Sequence, residues 1–376
     1  MSTIHWTTGD TQQSARRHSE NAAPLPRRTV VADDRMKAGD AYRRACEGTA
    51  LLWQGDFHNA RQLLQAMSRR IDRKTPRPST SLSESFHLHR RSSSHRARVL
   101  GKLLVLLDDD YRLALRRAPD VRQACLEAYG PPKGPMAVSL RELLGVIGAH
   151  QWRSKGVDVP ALGTRIHPHY GVFAPVRGEY VDLVAHTPLP PAALHSPDTS
   201  TAFDLGTGTG VLAAVLARRG INRVAATDIS PRALACAGEN AHRLAPTDRI
   251  EVSGPGLFPE GRADLIVCNP PWLPARPTSP VEQGVHDPDS TMLHGFLTGL
   301  SAHLRPGGEG WLVLSDLAER LGLRTRRQLL DAIHAAHLRV VDKIDTKPRH
   351  PRSKDVADPL HTARSAEITS LWRLTA

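Results

Sequence analysis

From about residue 170 onward, short apolar runs of strand type alternate with longer runs of helical period. The strand-type runs are, in order, TAFDLG, RVAATD, RIEVSG, ADLIVCNPPW, GGEGWLVLSD, LRVVDKID and EITSLWRL. Strand–helix–strand units of this kind pair in parallel through right-handed crossovers, and helices then cover both faces of the sheet. The pattern predicts a doubly wound, Rossmann-like α/β sheet of seven strands. A ligand would lie beyond the carboxyl ends of the strands, where the strand order reverses.

The preceding part of the chain has a different pattern. Residues 1–32 are polar and rich in Ser, Thr, Arg and Pro, without a sustained period, which predicts a disordered arm. Residues 33–165 hold several segments of helical period, among them Phe57–Ile71 behind the helix cap Asp56, and predict a mainly α-helical domain. The α/β domain then occupies residues 166–376.

The positive charge of the chain is confined to its first part. The chain has 50 Lys and Arg against 38 Asp and Glu, a net charge of +12. Residues 1–165 hold 28 basic and 16 acidic residues, and residues 166–376 hold 22 of each, so the whole excess lies in the first part. A uniform codon bias toward Arg does not by itself produce this asymmetry. We expect the basic N-terminal domain to recruit a macromolecular, polyanionic partner.

A glycine-rich turn follows the first strand of the α/β domain, in the stretch FDLGTGTGVLAAVLA. Gly206, Gly208 and Gly210 let the backbone bend tightly and approach a ligand closely. The dinucleotide fingerprint GxGxxG would require a third glycine at position 211, which is Val211, so a dinucleotide site is disfavoured. Asp228 follows the next strand and is placed to accept hydrogen bonds from both hydroxyls of a ribose.

With these residues the chain resembles the class I S-adenosylmethionine-dependent methyltransferases over roughly residues 166–376. The resemblance implies that S-adenosyl-L-methionine is the cofactor. It also implies a set of cofactor-binding residues: Asp204, Gly206, Thr207, Gly208, Gly210, Asp228, Ile229 and Asn269. The chain departs from the family after the third strand, where Gly256 stands in place of an acid near the adenine. Backbone groups around Gly256–Phe258 are then expected to recognise the adenine.

The stretch CNPPWLP ends the fourth strand and carries the predicted catalytic residues Asn269, Pro270, Pro271 and Trp272. The side-chain carbonyl of Asn269 and the backbone carbonyl of Pro270 are two adjacent acceptors for the two N–H bonds of a planar amino group. Such a nitrogen is a poor nucleophile because its lone pair is delocalised. Accepting both hydrogens directs the lone pair toward a methyl donor, and Trp272 supplies a stacking face. The motif predicts methyl transfer to a planar nitrogen.

The motif and its flanks are similar to amino-group methyltransferases of two kinds. The segment Tyr170–Val184, with Pro175, Arg177 and Glu179, looks like the one that precedes the cofactor domain in release-factor glutamine methyltransferases. A later stretch is similar to that family's Glu-Pro segment, with Asp287 in place of Glu. Ribosomal RNA guanine methyltransferases with a small methyltransferase domain share the general layout. The resemblance implies substrate-binding residues, namely Trp272, Arg177 and Tyr170.

Other classes of site receive little support from the sequence. His87, His89, His95, His167 and His169 lack acidic or cysteine partners at ligand spacing, so no metal is predicted. The four cysteines are scattered and predict no disulfide framework. The most apolar run is too short to span a bilayer, and we expect a cytoplasmic protein without a membrane partner.

The sequence leads to an N-methyltransferase acting on a macromolecule, with RNA placed ahead because of the basic N-terminal domain. A protein glutamine N5-methyltransferase is the first alternative, favoured by the flanking segments. A small-molecule N-methyltransferase and a non-catalytic RNA-binding module also stay open. The intact Asn269 and Asp228 argue against the non-catalytic alternative.

Overall fold

The computed structural model describes residues 3–73, 79–195, 197–244, 249–277, 281–349 and 355–376. The chain forms two compact units. The N-terminal unit comprises residues 1–79 and 87–151, and the C-terminal unit comprises residues 80–86 and 152–376.

The first half of the chain combines strands with helices. Its elements are β1 (Thr3–Thr8), β2 (Thr11–Arg17), β3 (Arg28–Ala32), α1 (Ala38–Cys46), β4 (Thr49–Trp53), α2 (Phe57–Asp72), α3 (Leu82–Leu100), β5 (Leu103–Leu107), α4 (Arg122–Tyr129), β6 (Met136–Ser139) and α5 (Leu140–Lys155). The strands form one mixed sheet in the order β1-β2-β6-β5-β4-β3. The pairs β2/β6, β4/β5 and β3/β4 are parallel, and β1/β2 and β5/β6 are antiparallel.

The prediction of a mainly helical N-terminal domain is therefore wrong, because this unit is an α/β sheet unit. Strands β4 (TALLW) and β5 (LLVLL) are short apolar runs, and periodicity alone does not separate such runs from buried helix. Strands β1, β2 and β3 also stand where a disordered arm was predicted. In β1 the buried residues Ile4 and Trp6 alternate with exposed ones, a period of two that marks a half-buried strand.

The helical prediction for Phe57–Ile71 is confirmed by α2. The Asp56 side chain accepts a hydrogen bond from the backbone N–H of His58 and caps the helix. The apolar positions at helical spacing, including Phe57, Met67 and Ile71, are buried.

The second half of the chain carries the longer sheet. Its elements are β7 (Val157–Val159), β8 (Thr164–Ile166), α6 (Glu179–His186), α7 (Pro191–His195), β9 (Thr201–Leu205), α8 (Val211–Arg218), β10 (Arg223–Thr227), α9 (Pro231–Leu244), β11 (Ile250–Ser253), β12 (Ala263–Cys268), α10 (Thr291–His303), β13 (Leu304–Ser315), α11 (Leu317–Arg320), α12 (Arg326–Ala335), β14 (Arg339–Thr346), α13 (His361–Ser365) and β15 (Thr369–Thr375). Strands β7 and β8 form a separate antiparallel pair.

The other seven strands form a sheet in the order β11-β10-β9-β12-β13-β15-β14. The pairs from β11 to β13 are parallel, and β15 runs antiparallel to both of its neighbours. The seven-stranded, Rossmann-like sheet predicted from the alternation is confirmed. All six residues of β12 are buried, as expected for a central parallel strand covered on both faces.

Two apolar clusters cover the two faces of this sheet. One joins α6 and α8 to the sheet, and the other joins α10 and α12 to it. The chain leaves β9 toward β10 on one side, and β12 pairs with the other side of β9. The strand order thus reverses at β9, and the carboxyl ends of β9, β10 and β12 lie side by side at this point.

Candidate active site

The turn from β9 to α8 is built on three glycines that adopt positive φ. The φ angles of Gly206, Gly208 and Gly210 are 70°, 54° and 79°. A Cβ on Gly210 would lie 3.2 Å from the Cα of Ala237, so this glycine lets the turn pack against α9. A Cβ on Gly208 would meet nothing closer than a carbonyl oxygen at 4.0 Å. The turn therefore has open space beside Gly208, where a ligand can approach the backbone.

Asp204 lies underneath this turn and supports it. The side chain is buried, and its Oδ2 accepts hydrogen bonds from the Thr207 hydroxyl at 2.6 Å and the Ala213 backbone N–H at 3.0 Å. Burial raises the pKa of Asp204 to about 6. These contacts connect the end of β9 to the turn and the first turn of α8. Thr207 in turn donates its backbone N–H to the carbonyl of Thr227, at 2.8 Å.

Asp228 follows β10 and faces the same turn. Its Oδ2 accepts the backbone N–H of Gly208 at 3.1 Å, and its Oδ1 accepts that of Ser230 at 2.9 Å. Burial raises its pKa above the usual value. Each carboxylate oxygen can accept further hydrogen bonds, which suits a vicinal diol. The neighbouring Ile229 is 76% exposed, an apolar side chain available to a flat ring beside the acid.

The loop after β11 comes close to Asp228 through its backbone. Gly256 donates its N–H to the carbonyl oxygen of Asp228 at 3.3 Å, and the Thr227 hydroxyl donates to the carbonyl of Leu257 at 2.6 Å. The Phe258 ring stacks on His303 of α10 at 4.2 Å between centroids. The segment predicted to recognise adenine through backbone groups thus lies beside the acid.

Asn269 and Trp272 lie directly beyond β12. Pro270 and Pro271 have no backbone N–H, so strand pairing cannot continue past Asn269. The indole Nε1–H of Trp272 donates to Oδ1 of Asn269 at 2.9 Å. This hydrogen bond identifies Oδ1 as the acceptor and fixes the rotation of the carboxamide. A carbonyl oxygen has two lone pairs, so Oδ1 can accept one more hydrogen bond.

Arg177, one of the predicted substrate-binding residues, lies against Trp272. The guanidinium carbon is 5.2 Å from the centroid of the Trp272 ring, within the range of a cation–π contact. Nη2 donates to Oε2 of Glu367 at 2.9 Å, and Nε is 3.3 Å from Oε1 of Glu179. Both carboxylates are buried. One face of Trp272 is thereby covered by an immobilised cation.

Tyr170 has a different neighbour from Trp272 and Arg177. The guanidinium of Arg232, in the first turn of α9, is 5.4 Å from the centroid of the Tyr170 ring. Arg232 follows Asp228 closely in the sequence. Tyr170 is therefore placed on the Asp228 side of the site.

The segment after the tetrapeptide contains Asp287, which the sequence pattern singled out, and Met292, which it did not. Leu273 forms a parallel bridge with His286, and Asp287 donates its N–H to the carbonyl of Leu273 at 2.9 Å. The Asp287 carboxylate accepts the backbone N–H of Met292 at 2.9 Å at the start of α10. A Cβ on Gly206 would overlap the Met292 methyl group, at 2.3 Å. Asp287 and Met292 thus connect the tetrapeptide to the glycine turn.

Asn240 of α9 is a second support of the turn that sequence reasoning missed. Its side-chain N–H groups reach the carbonyls of Thr209 at 3.1 Å and His167 at 3.2 Å, and its Oδ1 accepts the N–H of His167 at 2.9 Å. It is 1% exposed. The sequence signal for this role is a polar Asn on the apolar side of an amphipathic helix. Its hydrogen-bond partners lie far away in the chain, so no local pattern points to them.

Among the residues that the structure describes, no group of three or more His, Cys, Asp or Glu side chains is arranged to hold a metal ion. Within the same described ranges, no helix combines the length and apolarity needed to cross a bilayer.

The sequence was compared with protein families and with known proteins. Residues 164–326 match the family described as methyltransferase small domain. The chain is 36% identical over 173 residues to a release factor glutamine methyltransferase of Cereibacter sphaeroides, which covers 42% of this chain and 60% of that protein. It is 46% identical over 71 residues to a ribosomal protein L11 methyltransferase of Pelotomaculum thermopropionicum, covering 18% of this chain and 23% of that protein.

Among solved structures, the ribosomal protein L11 methylase of Lactobacillus delbrueckii subsp. bulgaricus matches with 20% identity and a TM-score of 0.34. The match covers 52% of this chain and 78% of that one. The chain thus spans 60% or less of the length of the two curated relatives named here.

Proposed function

Because residues 164–326 belong to the methyltransferase small domain family, we propose that this protein transfers a methyl group from S-adenosylmethionine to the side-chain amide nitrogen of a protein glutamine. The domain match confirms the S-adenosylmethionine-dependent methyltransferase domain predicted from the glycine turn and the tetrapeptide. The observation that carries the choice of atom is the hydrogen bond from Trp272 to Asn269, which presents Oδ1 as an oriented acceptor.

The cofactor half of the site is assigned to the ends of β9 and β10. Gly206, Gly208 and Gly210 shape a turn with open space at Gly208, and Asp228 offers two oxygens toward the ribose hydroxyls. Ile229 offers an apolar side chain to the adenine. When bound, the cofactor supplies an electrophilic methyl group on a sulfonium. Asp204 and Thr207 are assigned a supporting role, since their side chains bond to each other.

The substrate half of the site is assigned to the tetrapeptide. Asn269 Oδ1 and the Pro270 carbonyl each accept one hydrogen of the glutamine NH₂ group, which orients its lone pair for in-line attack. Pro271 keeps the backbone extended behind them. Trp272 packs against the amide plane with the face that Arg177 leaves uncovered. Asn269 Oδ1 and the Pro270 carbonyl would also accept the proton that the methylated amide nitrogen gives up on its way to water, so no separate strong base is needed.

A protein substrate is favoured over an RNA base for two reasons. The two relatives are a release factor glutamine methyltransferase and a ribosomal protein L11 methyltransferase, and both names specify a protein substrate. Residues 166–376, which hold the site, also carry equal numbers of basic and acidic residues, without the excess that a phosphate backbone favours. The basic residues 1–165 are then assigned to recruitment, for example to an RNA-bearing assembly in which the protein substrate is bound.

The proposal is tested with methyl-labelled cofactor, the full chain and a fractionated lysate, followed by RNase or protease. We expect label that survives RNase and is lost with protease, and N5-methylglutamine after hydrolysis of the labelled protein. Recombinant release factor and ribosomal protein L11 are the first purified substrates to test. Asn269→Ala, which removes one acceptor, serves as the inactive control with cofactor binding retained. Label that is lost with RNase would instead support the RNA alternative.

A further inference from the structure

Glu367 precedes β15 and lies outside the matched residues 164–326. We propose that Glu367 is a positioning residue for substrate binding, which holds Arg177 on one face of Trp272 and so reserves the opposite face for the substrate amide. The inference deepens the proposed function and rests on it for the identity of the substrate. The arrangement of the side chains themselves does not depend on that identity.

The Glu367 carboxylate is held at both oxygens. Oε1 accepts a hydrogen bond from the hydroxyl of Ser315 at 2.6 Å, and Oε2 accepts one from Nη2 of Arg177 at 2.9 Å. Ser315 is the last residue of β13, and its oxygen accepts the backbone N–H of Leu317 at 3.0 Å. Glu367 is 1% exposed. The carboxylate therefore has one orientation, fixed by the end of a central strand.

Arg177 is held by a second carboxylate from another element. Glu179, the first residue of α6, lies 3.3 Å from Nε of Arg177 and is 3% exposed. The contact with Glu179 is an ion pair without a hydrogen bond, so the hydrogen bond from Nη2 to Glu367 is the directional contact that orients the guanidinium. The Arg177 side chain is only 22% exposed, so this group is also shielded from water.

These contacts form a series of side-chain interactions that ends at Asn269, the predicted acceptor. Glu367 holds Arg177, Arg177 lies on Trp272 at 5.2 Å, and Trp272 donates to Asn269 at 2.9 Å. Removing one carboxylate leaves the largely buried guanidinium underpaired, and it then turns toward solvent. Trp272 then loses its cation–π partner, and the donor that fixes Asn269 becomes less well oriented.

The test compares Glu367→Gln with Glu309→Gln in the full chain. Glu309 is a matched control in the same sheet, because it is also buried, accepts the indole N–H of Trp311 at 2.9 Å and pairs with Arg373 at 2.7 Å. The first measurement is the ¹⁵N-indole NMR spectrum, with the Trp272 signal identified by its loss in Trp272→Phe. The second is steady-state methylation of recombinant release factor, with cofactor affinity measured by calorimetry.

We expect Glu367→Gln to shift the Trp272 indole signal and to raise KM for the protein about tenfold, with the Kd of the cofactor changed less than about twofold. Glu309→Gln should lower Tm without moving either readout. Identical behaviour of the two variants in both readouts would overturn the inference.

Two further variants keep the test decisive if Glu367→Gln does not fold. Arg177→Lys retains the charge but loses the planar face, and Glu179→Gln removes the other carboxylate. Each should shift the Trp272 signal, and an unshifted signal in both would overturn the inference. If wild-type protein methylates no glutamine, the proposed function fails, while the indole spectra still report on the positioning.

Discussion

The indole N–H of Trp272 donates to Oδ1 of Asn269 at 2.9 Å, three residues apart beyond the end of β12. Pro270 and Pro271 lie between these two residues and stop strand pairing after Asn269, because neither has a backbone N–H. The indole thus holds one particular atom of the Asn269 carboxamide as an acceptor, which is a polar function in addition to the stacking proposed for the ring. A phenylalanine at this position would provide a stacking face but could not select the carboxamide oxygen of Asn269.

Trp272→Phe tests this polar function. The variant keeps an aromatic face but removes the donor, so the Asn269 carboxamide is free to rotate. We expect kcat to fall about tenfold while the Kd of S-adenosylmethionine changes little, because the hydrogen bond orients the acceptor without contributing to the cofactor turn. Stopped-time methylation and calorimetry measure the two quantities. An unchanged kcat would show that Asn269 is oriented without Trp272.

Gly208→Ala and Gly210→Ala separate the folding and binding functions of the turn. Both positions have positive φ, which costs a residue with a Cβ about 1 kcal/mol. At Gly210 the new Cβ also crowds Ala237 at 3.2 Å, whereas at Gly208 it enters open space. We expect Gly210→Ala to lower Tm clearly more than Gly208→Ala.

Cofactor affinity should distinguish Gly208→Ala from Gly210→Ala independently of Tm. The space beside Gly208 is the proposed cofactor site, so Gly208→Ala should weaken S-adenosylmethionine binding about tenfold or more in a protein that still folds. Calorimetry on the folded fraction gives the Kd. Wild-type affinity in Gly208→Ala would place the cofactor elsewhere.

The seven-stranded sheet was predictable because its signals are local. The buried run of β12 and the glycine turn at Gly206–Gly210 are each visible within a dozen residues. The sheet of the N-terminal unit was not predictable in this way, because β4 and β5 are five-residue apolar runs that fit a helix equally well.

The same distinction applies within the site. Asn269 and Asp228 are predicted from motifs, whereas no motif points to Glu367. Its partners Arg177 and Ser315 are far away in sequence, and only the pairing of β13 with β15 brings this end of the chain to the site. Long-range side-chain contacts of this kind have no local pattern.

Asp204→Asn should change how stability depends on pH. The pKa of Asp204 is about 6 in the folded protein against about 4 for an aspartate in an unfolded chain, so the folded state disfavours the carboxylate. An acid whose pKa is higher in the folded than in the unfolded state destabilises the fold once the pH rises above its unfolded pKa. The resulting loss of unfolding free energy is complete above the folded pKa. For wild type this cost grows between about pH 4 and pH 6 and reaches at most about 3 kcal/mol.

The amide in Asp204→Asn removes this cost and can still accept from Thr207 and Ala213 through its oxygen. We therefore expect the variant to gain stability relative to wild type as pH rises from 4 to 6, and to hold that gain up to pH 8. Urea unfolding at a series of pH values measures it. A constant difference between the two proteins across this range would show that Asp204 does not titrate there.

Replacing arginines on the exposed side of α2 tests recruitment by the basic unit. The triple variant carries glutamine at Arg61 and Arg69 of α2 and at Arg73, which directly follows the helix; all three are exposed, whereas the apolar face of α2 is buried. We expect weaker binding to a polyanion such as rRNA, and a log K against log salt slope that is shallower by about 2 to 3, since each lost phosphate contact removes roughly 0.7 to 0.9.

A matched triple variant removes the same charge from the C-terminal unit, with glutamine at the exposed residues Arg243, Arg327 and Arg339. Fluorescence anisotropy titrations at several salt concentrations compare the two variants with wild type. The control should keep the wild-type slope, because residues 166–376 carry no net excess of positive charge. Equal slopes in both triple variants would mean that net charge alone drives binding, and that the α2 surface has no special part in recruitment.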